Sequence, residues 1–442
     1  MDAKKIYRIL LYAILIAVIL AGCQNKSTDP PVTPSLLERL QSLPNCSVVE
    51  IDPPEGAHYS RAFQITIVQP VDHANPNGQS FEQRLFLSHV DESAPMALVT
   101  WGYDVTSNAS YELAEMLQAN QLLAAYRYTG DNRPNPVDWD YLTIEQASGD
   151  FHVIADIFKD IYTGPWVNFG YSKSAGAALH HRRFHPDDVL ATVAVVPGVF
   201  ISTHDPRVDD FLTNTVGTEE CRDKIREFQR LALTRRDSLL PIYEEYVQDQ
   251  GYSYSRIGGV GIAFEYLVLE YGYIFWQYLQ VYHCDLIPDS TVSNSDLFIH
   301  LQSVSDIDFL RDEICVMFEP TYYQFHTETG YYGYATEHLD DLLIEVDDPN
   351  YEHMAPVGVP LVYDPAVMAD MKQWLETDGQ NIIYIYGEHD PLTATAISSP
   401  VNSNSFSIIQ PGGNHLLFIE DLNQRDLVLD SLGSWLQVTV GP

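Results

Sequence analysis

Basic residues are scarce in this sequence: 24 Lys and Arg stand against 61 Asp and Glu, a formal net charge of −37. So acidic a chain is repelled by a phosphate backbone, which excludes nucleic acid as a partner. Cysteine is sparse too, at 5 in 442 residues. No Cys-x-x-Cys pair and no His/Cys group at zinc spacing occurs, so the pattern implies neither a structural metal nor a cofactor. No internal repeat is evident. Long apolar runs free of charge are lacking except at the start, in "ILLYAILIAVILAG". The acidity itself has two readings. One is a solvated surface suited to salty surroundings, and the other is an acidic cleft that attracts cationic ligands such as peptide amino termini.

The apolar start is informative. Lys4, Lys5 and Arg8 form a basic lead-in, and the run ends at Cys23. It falls short of the roughly 20 residues a membrane span needs and has the layout of a secretory signal. "LAGC", Leu20 to Cys23, resembles the bacterial lipobox, in which the cysteine is lipidated after removal of the segment before it. The alternative is an uncleaved anchor. Either reading puts the body outside the cytoplasm, anchored to a membrane through its N-terminus. Gln24 after the cysteine resembles the outer-membrane sorting pattern of an organism with two membranes. In an oxidising compartment the remaining Cys46, Cys221, Cys284 and Cys315 allow one or two disulfides, and the sequence does not choose the pairing.

Composition divides the chain into a signal at 1–22, a tether and N-terminal segment at 23–55, a first α/β part at 56–204, a helical insertion at 205–375 and a second α/β part at 376–442. Residues 24–36 are polar and Pro-rich, as a tether is. "FQITIVQP" and "RLFLSHV" read as an opening hairpin. Then "MALVTWGY", "LLAAYRY", "WVNFGYS" and "ATVAVVP" alternate with helical stretches. That rhythm predicts a mostly parallel sheet covered on both faces. It breaks after about Phe200 into helical sequence rich in Tyr, Asp and Glu, and returns at "NIIYIYG". An α/β-hydrolase with a large helical cap has this layout.

One stretch poses a question. "NFGYSKSAGAALHH" puts Ser172 between the strand "WVNFG" and a helix of small residues, where a sharp turn exposes the hydroxyl at the carboxyl end of a sheet. The G-x-S-x-G pattern is broken, however, because Ser174 stands at its last position. A serine hydroxyl needs a base oriented by a third group. "IIYIYGEHDP" ends a strand at Asp390, and "SFSIIQPGGNHLLF" ends another before His415. Ser, Asp and His thus follow the order this fold uses, each just after a predicted strand. Glu388 is the alternative acid and His389 the alternative base. His180, His181 and His185 read as solvated. The oxyanion requires two donors: the backbone N–H of Lys173, and one from the loop "VTWGYDV", where Gly102 and Tyr103 are candidates and Tyr103 is preferred.

With these residues in place, a family resemblance is specific. "WGYDV", "YRY", "PVDWDYLTIEQASGDFHVI", "GYSKSAG" and "RRFHPDDVLATVAVVPGV" occur in the order seen in secreted bacterial tripeptidyl aminopeptidases, relatives of lysosomal Pro-X carboxypeptidase and dipeptidyl peptidase. The resemblance covers about residues 60–440 and implies Ser172 as nucleophile, Asp390 as acid and His415 as base. There are departures. Ser174 and Ala175 stand where the family usually carries glycines, Trp101 and Ala125 where acids are common, and Leu392 where a Trp often follows Asp-Pro. The expectation is an extracytoplasmic serine exopeptidase that releases short peptides through an acyl-enzyme. The alternatives are an ester hydrolase on the same triad and a non-catalytic surface binding lipoprotein.

Overall fold

The computed structural model describes residues 34–398 and 403–440. The segment read as a signal, Cys23 and most of the segment read as a tether lie outside the described residues. A leading unit ends at Leu40, and everything from Gln41 onward forms a second unit. The first unit holds all but the last residue of a short helix, Leu36–Gln41, whose start is closed by Ser35 and Glu38 bonding each other.

The second unit is built on nine strands: β1 (Cys46–Ile51), β2 (Arg61–Pro70), β3 (Ser80–His89), β4 (Met96–Thr100), β5 (Asn120–Ala124), β6 (Trp166–Tyr171), β7 (Ala191–Val195), β8 (Ile382–Gly387) and β9 (Phe406–Gln410). Their order in the sheet is β1-β2-β3-β5-β4-β6-β7-β8-β9. β2 and β3 form the expected hairpin, paired from Arg61 with His89 to Pro70 with Ser80. β5 through β9 run parallel. The strand β1 falls in the N-terminal segment at 23–55, past the Pro-rich tether at 24–36. It pairs antiparallel with β2 at the sheet edge and buries only Val48, leaving Val49 exposed. An edge strand with one inward residue carries too little apolar pattern to be noticed.

β4, β5, β7 and β8 are buried at every position, because helices cover both faces. Successive side chains divide between those faces. Ile383 and Ile385 pack with Val99, Phe169 and Leu432 on one side. Ile382, Tyr384 and Tyr386 pack with Leu179, Met368 and Leu375 on the other. The helix Pro365–Thr377 therefore belongs to the sheet, not to the insertion at 205–375 in which the sequence rhythm placed it. Its apolar stripe of Met368, Met371 and Leu375 is what docks it there.

The remaining insertion between β7 and β8 is a cap of helices around Val260–Tyr278. That helix is buried from Ala263 through Tyr271 with hardly an exposed face, as a helix apolar all round must be. Its Glu265 is satisfied by Arg236 and by the N–H groups of Ile344, Glu345 and Val346. Cys221 and Cys284 form a disulfide, Cα atoms 5.4 Å apart, that ties the helix Glu219–Thr234 to the turn Val281–Leu286 after the central helix. Cys46 and Cys315 are unpaired thiols.

Candidate active site

The sheet has one natural crevice. From β4 the chain steps outward to β5 and then returns to β6 on β4's other side, so the connections after β4 and β6 part in opposite directions. Ligands bind at such a switch point, outside the carboxyl ends of the strands. The loop after β4 is Trp101–Val105, and the turn after β6 is Ser172.

Ser172 sits at φ 54° and ψ −125°, a conformation costly for any residue with a side chain. Its N–H bonds Val195 O at 2.9 Å, and its carbonyl receives Gly176 N–H at 3.1 Å, which locks the strand-to-helix reversal. The crowding is one-sided. A Cβ on Gly170 would lie 2.3 Å from the backbone of Ser174, so only glycine fits two residues before the serine. Two residues after it, Ser174 is buried, and its Oγ accepts the Gly102 N–H at 2.8 Å. The missing glycine is thus a hydrogen-bond acceptor for the neighbouring loop.

Asp390 lies three residues beyond β8 and is wholly buried. One carboxylate oxygen bonds His415 Nδ1 at 2.8 Å, and the other accepts Leu392 N–H at 3.2 Å. With Nδ1 held by the carboxylate, Nε2 is the ring's free base. Gly387 makes room for this pairing, since a Cβ there would meet the Asn414 carbonyl at 2.5 Å. The His415 loop also rests on the cap. His415 N–H bonds Gln277 O at 3.0 Å, and Asn414 Nδ2 bonds Leu279 O at 3.2 Å. Glu388 is exposed and turns to Gly412 N–H instead, while His389 packs beside Trp276.

Ser172 and His415 open into one cavity of about 920 Å³ between sheet and cap. Ligand pockets run to about 1,000 Å³, so this one is large. Its walls are rich in aromatic residues, with Tyr103, Tyr273, Phe318 and Tyr331 among them. Three acids line it: Asp104, Glu270 and Asp306. Asp104 already receives Asn132 Nδ2 and lies 3.6 Å from Arg84, and Asp306 is exposed. Glu270 alone is buried. Its carboxylate accepts the hydroxyls of Tyr334 at 2.5 Å, Tyr332 at 3.2 Å, and Tyr351. Desolvation raises its pKa above the usual carboxylate range, and the three phenols offset only part of that. Sequence reading passed over Glu270. The available signal was a pair of acids, Glu265 and Glu270, inside the otherwise largely apolar and aromatic "FEYLVLEYGYIFWQY".

The backbone N–H groups of Lys173 and Tyr103 have no protein acceptor among the described residues, and both residues line the cavity. Gly102 N–H is engaged by Ser174, which leaves Tyr103 as the free one of the two candidate donors in that loop. Lys173 N–H opens a helix, where the first amides are unpaired and the dipole favours negative charge. Two of the three histidines read as solvated are buried, and His185 is half-buried. His181 is wholly buried between Asn168 and Asp188, and His180 lines the cavity, its pKa pushed down to about 3 by burial and then by Lys173. The basic run "HHRR" hides a helix packed closely against the helix Ile144–Lys159 and the sheet. Of the departing positions, Trp101 packs on Tyr111 and Ala125 is buried under Gln83, and neither lines the cavity; Leu392 does.

The family described as PS-10 peptidase S37 matches residues 30–428. A curated prolyl tri/tetrapeptidyl aminopeptidase from Streptomyces mobaraensis is 32% identical over 419 residues, covering 93% of this chain and 87% of its own. Among solved structures, a proline iminopeptidase from Mycobacterium smegmatis aligns with a TM-score of 0.38 at 10% identity, over 84% of this chain and 99% of its own. An esterase from Pyrobaculum calidifontis aligns with a TM-score of 0.31 at 12% identity, over 99% and 94%.

Proposed function

The chain belongs to the PS-10 peptidase S37 family, and from that premise we propose that it is a serine aminopeptidase releasing short peptides, with Ser172, His415 and Asp390 as its triad. The observation that carries this reading is the 2.8 Å bond from buried Asp390 to His415 Nδ1 at the rim of a cavity shared with Ser172 on its strained turn. Ser172 Oγ attacks the scissile carbonyl while His415 Nε2 takes its proton. Asp390 holds the tautomer and stabilises the imidazolium. The tetrahedral oxygen receives the N–H groups of Lys173 and Tyr103. His415 then returns the proton to the leaving amine, and water repeats the sequence on the acyl-enzyme.

Recognition of the amino terminus falls to Glu270. A carboxylate has about four acceptor positions, and three are taken by tyrosines, which leaves one for an ammonium. The span from Glu270 to Ser172 then sets how many residues are released. The aromatic walls suit apolar and prolyl side chains. The test is mass spectrometry of a mixed peptide digest. Amino ends should shorten by a fixed count, and fluorophosphonate labelling of Ser172 should abolish the shortening. Turnover of nitrophenyl esters with no peptide shortened would favour the ester hydrolase.

The envelope location belongs to the same proposal. The basic lead-in, the short apolar run and "LAGC" support lipidation at Cys23, and the disulfide Cys221–Cys284 suits an oxidising compartment. Fatty-acid labelling of the wild type and of Cys23→Ala checks it; equal labelling of both would remove the anchor.

A further inference from the structure

The side chain of Lys173 is unused by that mechanism and oddly placed. It belongs to the residue after the nucleophile, yet no carboxylate lies within ion-pair distance of its ammonium among the described residues. Instead Nζ donates to the Gly102 carbonyl at 2.7 Å and lies 3.8 Å from the centre of the Tyr126 ring and 5.4 Å from that of Tyr103. Gly102 is thereby gripped on both sides, since its N–H is held by Ser174 Oγ at 2.8 Å. The approach is close. A Cβ on Gly102 would come within 2.9 Å of Lys173 Cγ and 3.0 Å of Ser174 N.

The grip has a consequence for direction. In a planar trans peptide the C=O and the next N–H point opposite ways. The N–H opposite the Gly102 carbonyl is that of Tyr103. A bond that pins the carbonyl toward Lys173 therefore turns the Tyr103 N–H away from it, and a cation on that carbonyl polarises the same amide and strengthens it as a donor. We propose that the Lys173 ammonium and the Ser174 hydroxyl are positioning groups of the oxyanion site, clamping the Gly102 peptide so that Tyr103 N–H meets the oxygen that becomes anionic at Ser172. The inference rests on Ser172 being the nucleophile. It also accounts for the departure at Ser174, since a glycine there could not hold the loop.

Burial pushes the Lys173 ammonium down to about 7, so the clamp carries full charge below that pH and loses it above. The groups facing it are Tyr103, Tyr126 and His180. The Tyr126 hydroxyl is occupied by Gln324, and His180 stays neutral, so none titrates in the same range.

The test uses the full chain and a tripeptidyl anilide. Lys173→Met fills similar space with neither charge nor donor. It should lower kcat by about 100-fold, the scale for one oxyanion donor, with KM within about threefold. Lys173→Arg, always charged, should restore much of kcat and move the alkaline loss of activity upward from its wild-type position. Ser174→Ala removes the other half of the clamp without touching the ammonium, and should lower kcat by about tenfold with the melting temperature little changed. If Lys173→Met fails to fold, Ser174→Ala and the arginine pH profile decide. Folded variants that keep kcat within twofold, or an arginine profile identical to wild type, would overturn the clamp while fluorophosphonate still labels Ser172. Failure of the wild type to label would overturn the nucleophile assignment and the clamp with it.

Discussion

Glu270→Gln separates recognition from chemistry. The substitution keeps the shape of the side chain, and the amide oxygen still accepts from Tyr334 and Tyr351. The new NH₂ faces Tyr332, whose hydroxyl can accept as readily as donate. What disappears is the negative charge. A hydrogen bond to a charged partner contributes about 1.5–3 kcal/mol, so kcat/KM for a free-amine tripeptidyl anilide should fall by about 10- to 150-fold. The fall should appear mainly in KM, because the ammonium is bound equally in the ground and transition states. The same peptide with an acetylated amino end never had the interaction and should lose less than about twofold. Comparing the two substrates on wild type and variant is therefore a double-mutant cycle with one half in the ligand. Equal losses on both substrates would refute the argument, because they would mean that Glu270 supports the cavity wall and not the substrate.

Asp390→Asn would present an NH₂ or a weaker acceptor to His415 Nδ1 and favour the wrong tautomer; kcat should fall about 10⁴-fold, and a loss under tenfold would remove Asp390 from the triad. Asp150→Ala would strand the buried Arg127 guanidinium, now held by two bonds of 2.7 Å, and lower urea-measured stability by about 3–5 kcal/mol with an unchanged m-value. A loss below 1 kcal/mol would show that water reaches Arg127. Reducing Cys221–Cys284 opens a constraint spanning 63 positions. By the loop-entropy estimate that costs up to about 4 kcal/mol, read as a lower melting temperature in reductant. No shift would mean that the bond is not closed in the purified protein.

The strand ends that carry Ser172 and Asp390 were legible because buried parallel strands are short apolar runs; β9 before His415 buries only Ile408 and was legible from its β-branched residues and the Gly-rich loop after it. The opening hairpin was legible from its alternation. What escaped depends on partners distant in the chain. Ser174 looked like a defect because Gly102, which explains it, lies 72 residues upstream. The choice between Gly102 and Tyr103 as donor turns on which N–H is already taken, and composition does not record that. His180 and His181 sit in a run of basic residues, and only helix packing shows that they are inside. Pro365–Thr377 follows a long helical stretch, so nothing local marks its move from cap to sheet.

The contact between the His415 loop and the cap's central helix bears on how the enzyme is engineered. The carbonyls of Gln277 and Leu279 suspend the loop that presents His415, the proposed base, and Tyr278 between them sets its ring edge-on to His415 at 5.9 Å. The roof of the cavity is therefore also the hanger of the histidine. Doorway and proposed machinery share a beam, so a change that widens the entrance at this end displaces His415 as well. Efforts to admit bulkier substrates should begin at lining residues such as Phe309 and Met317, which are no part of the proposed triad.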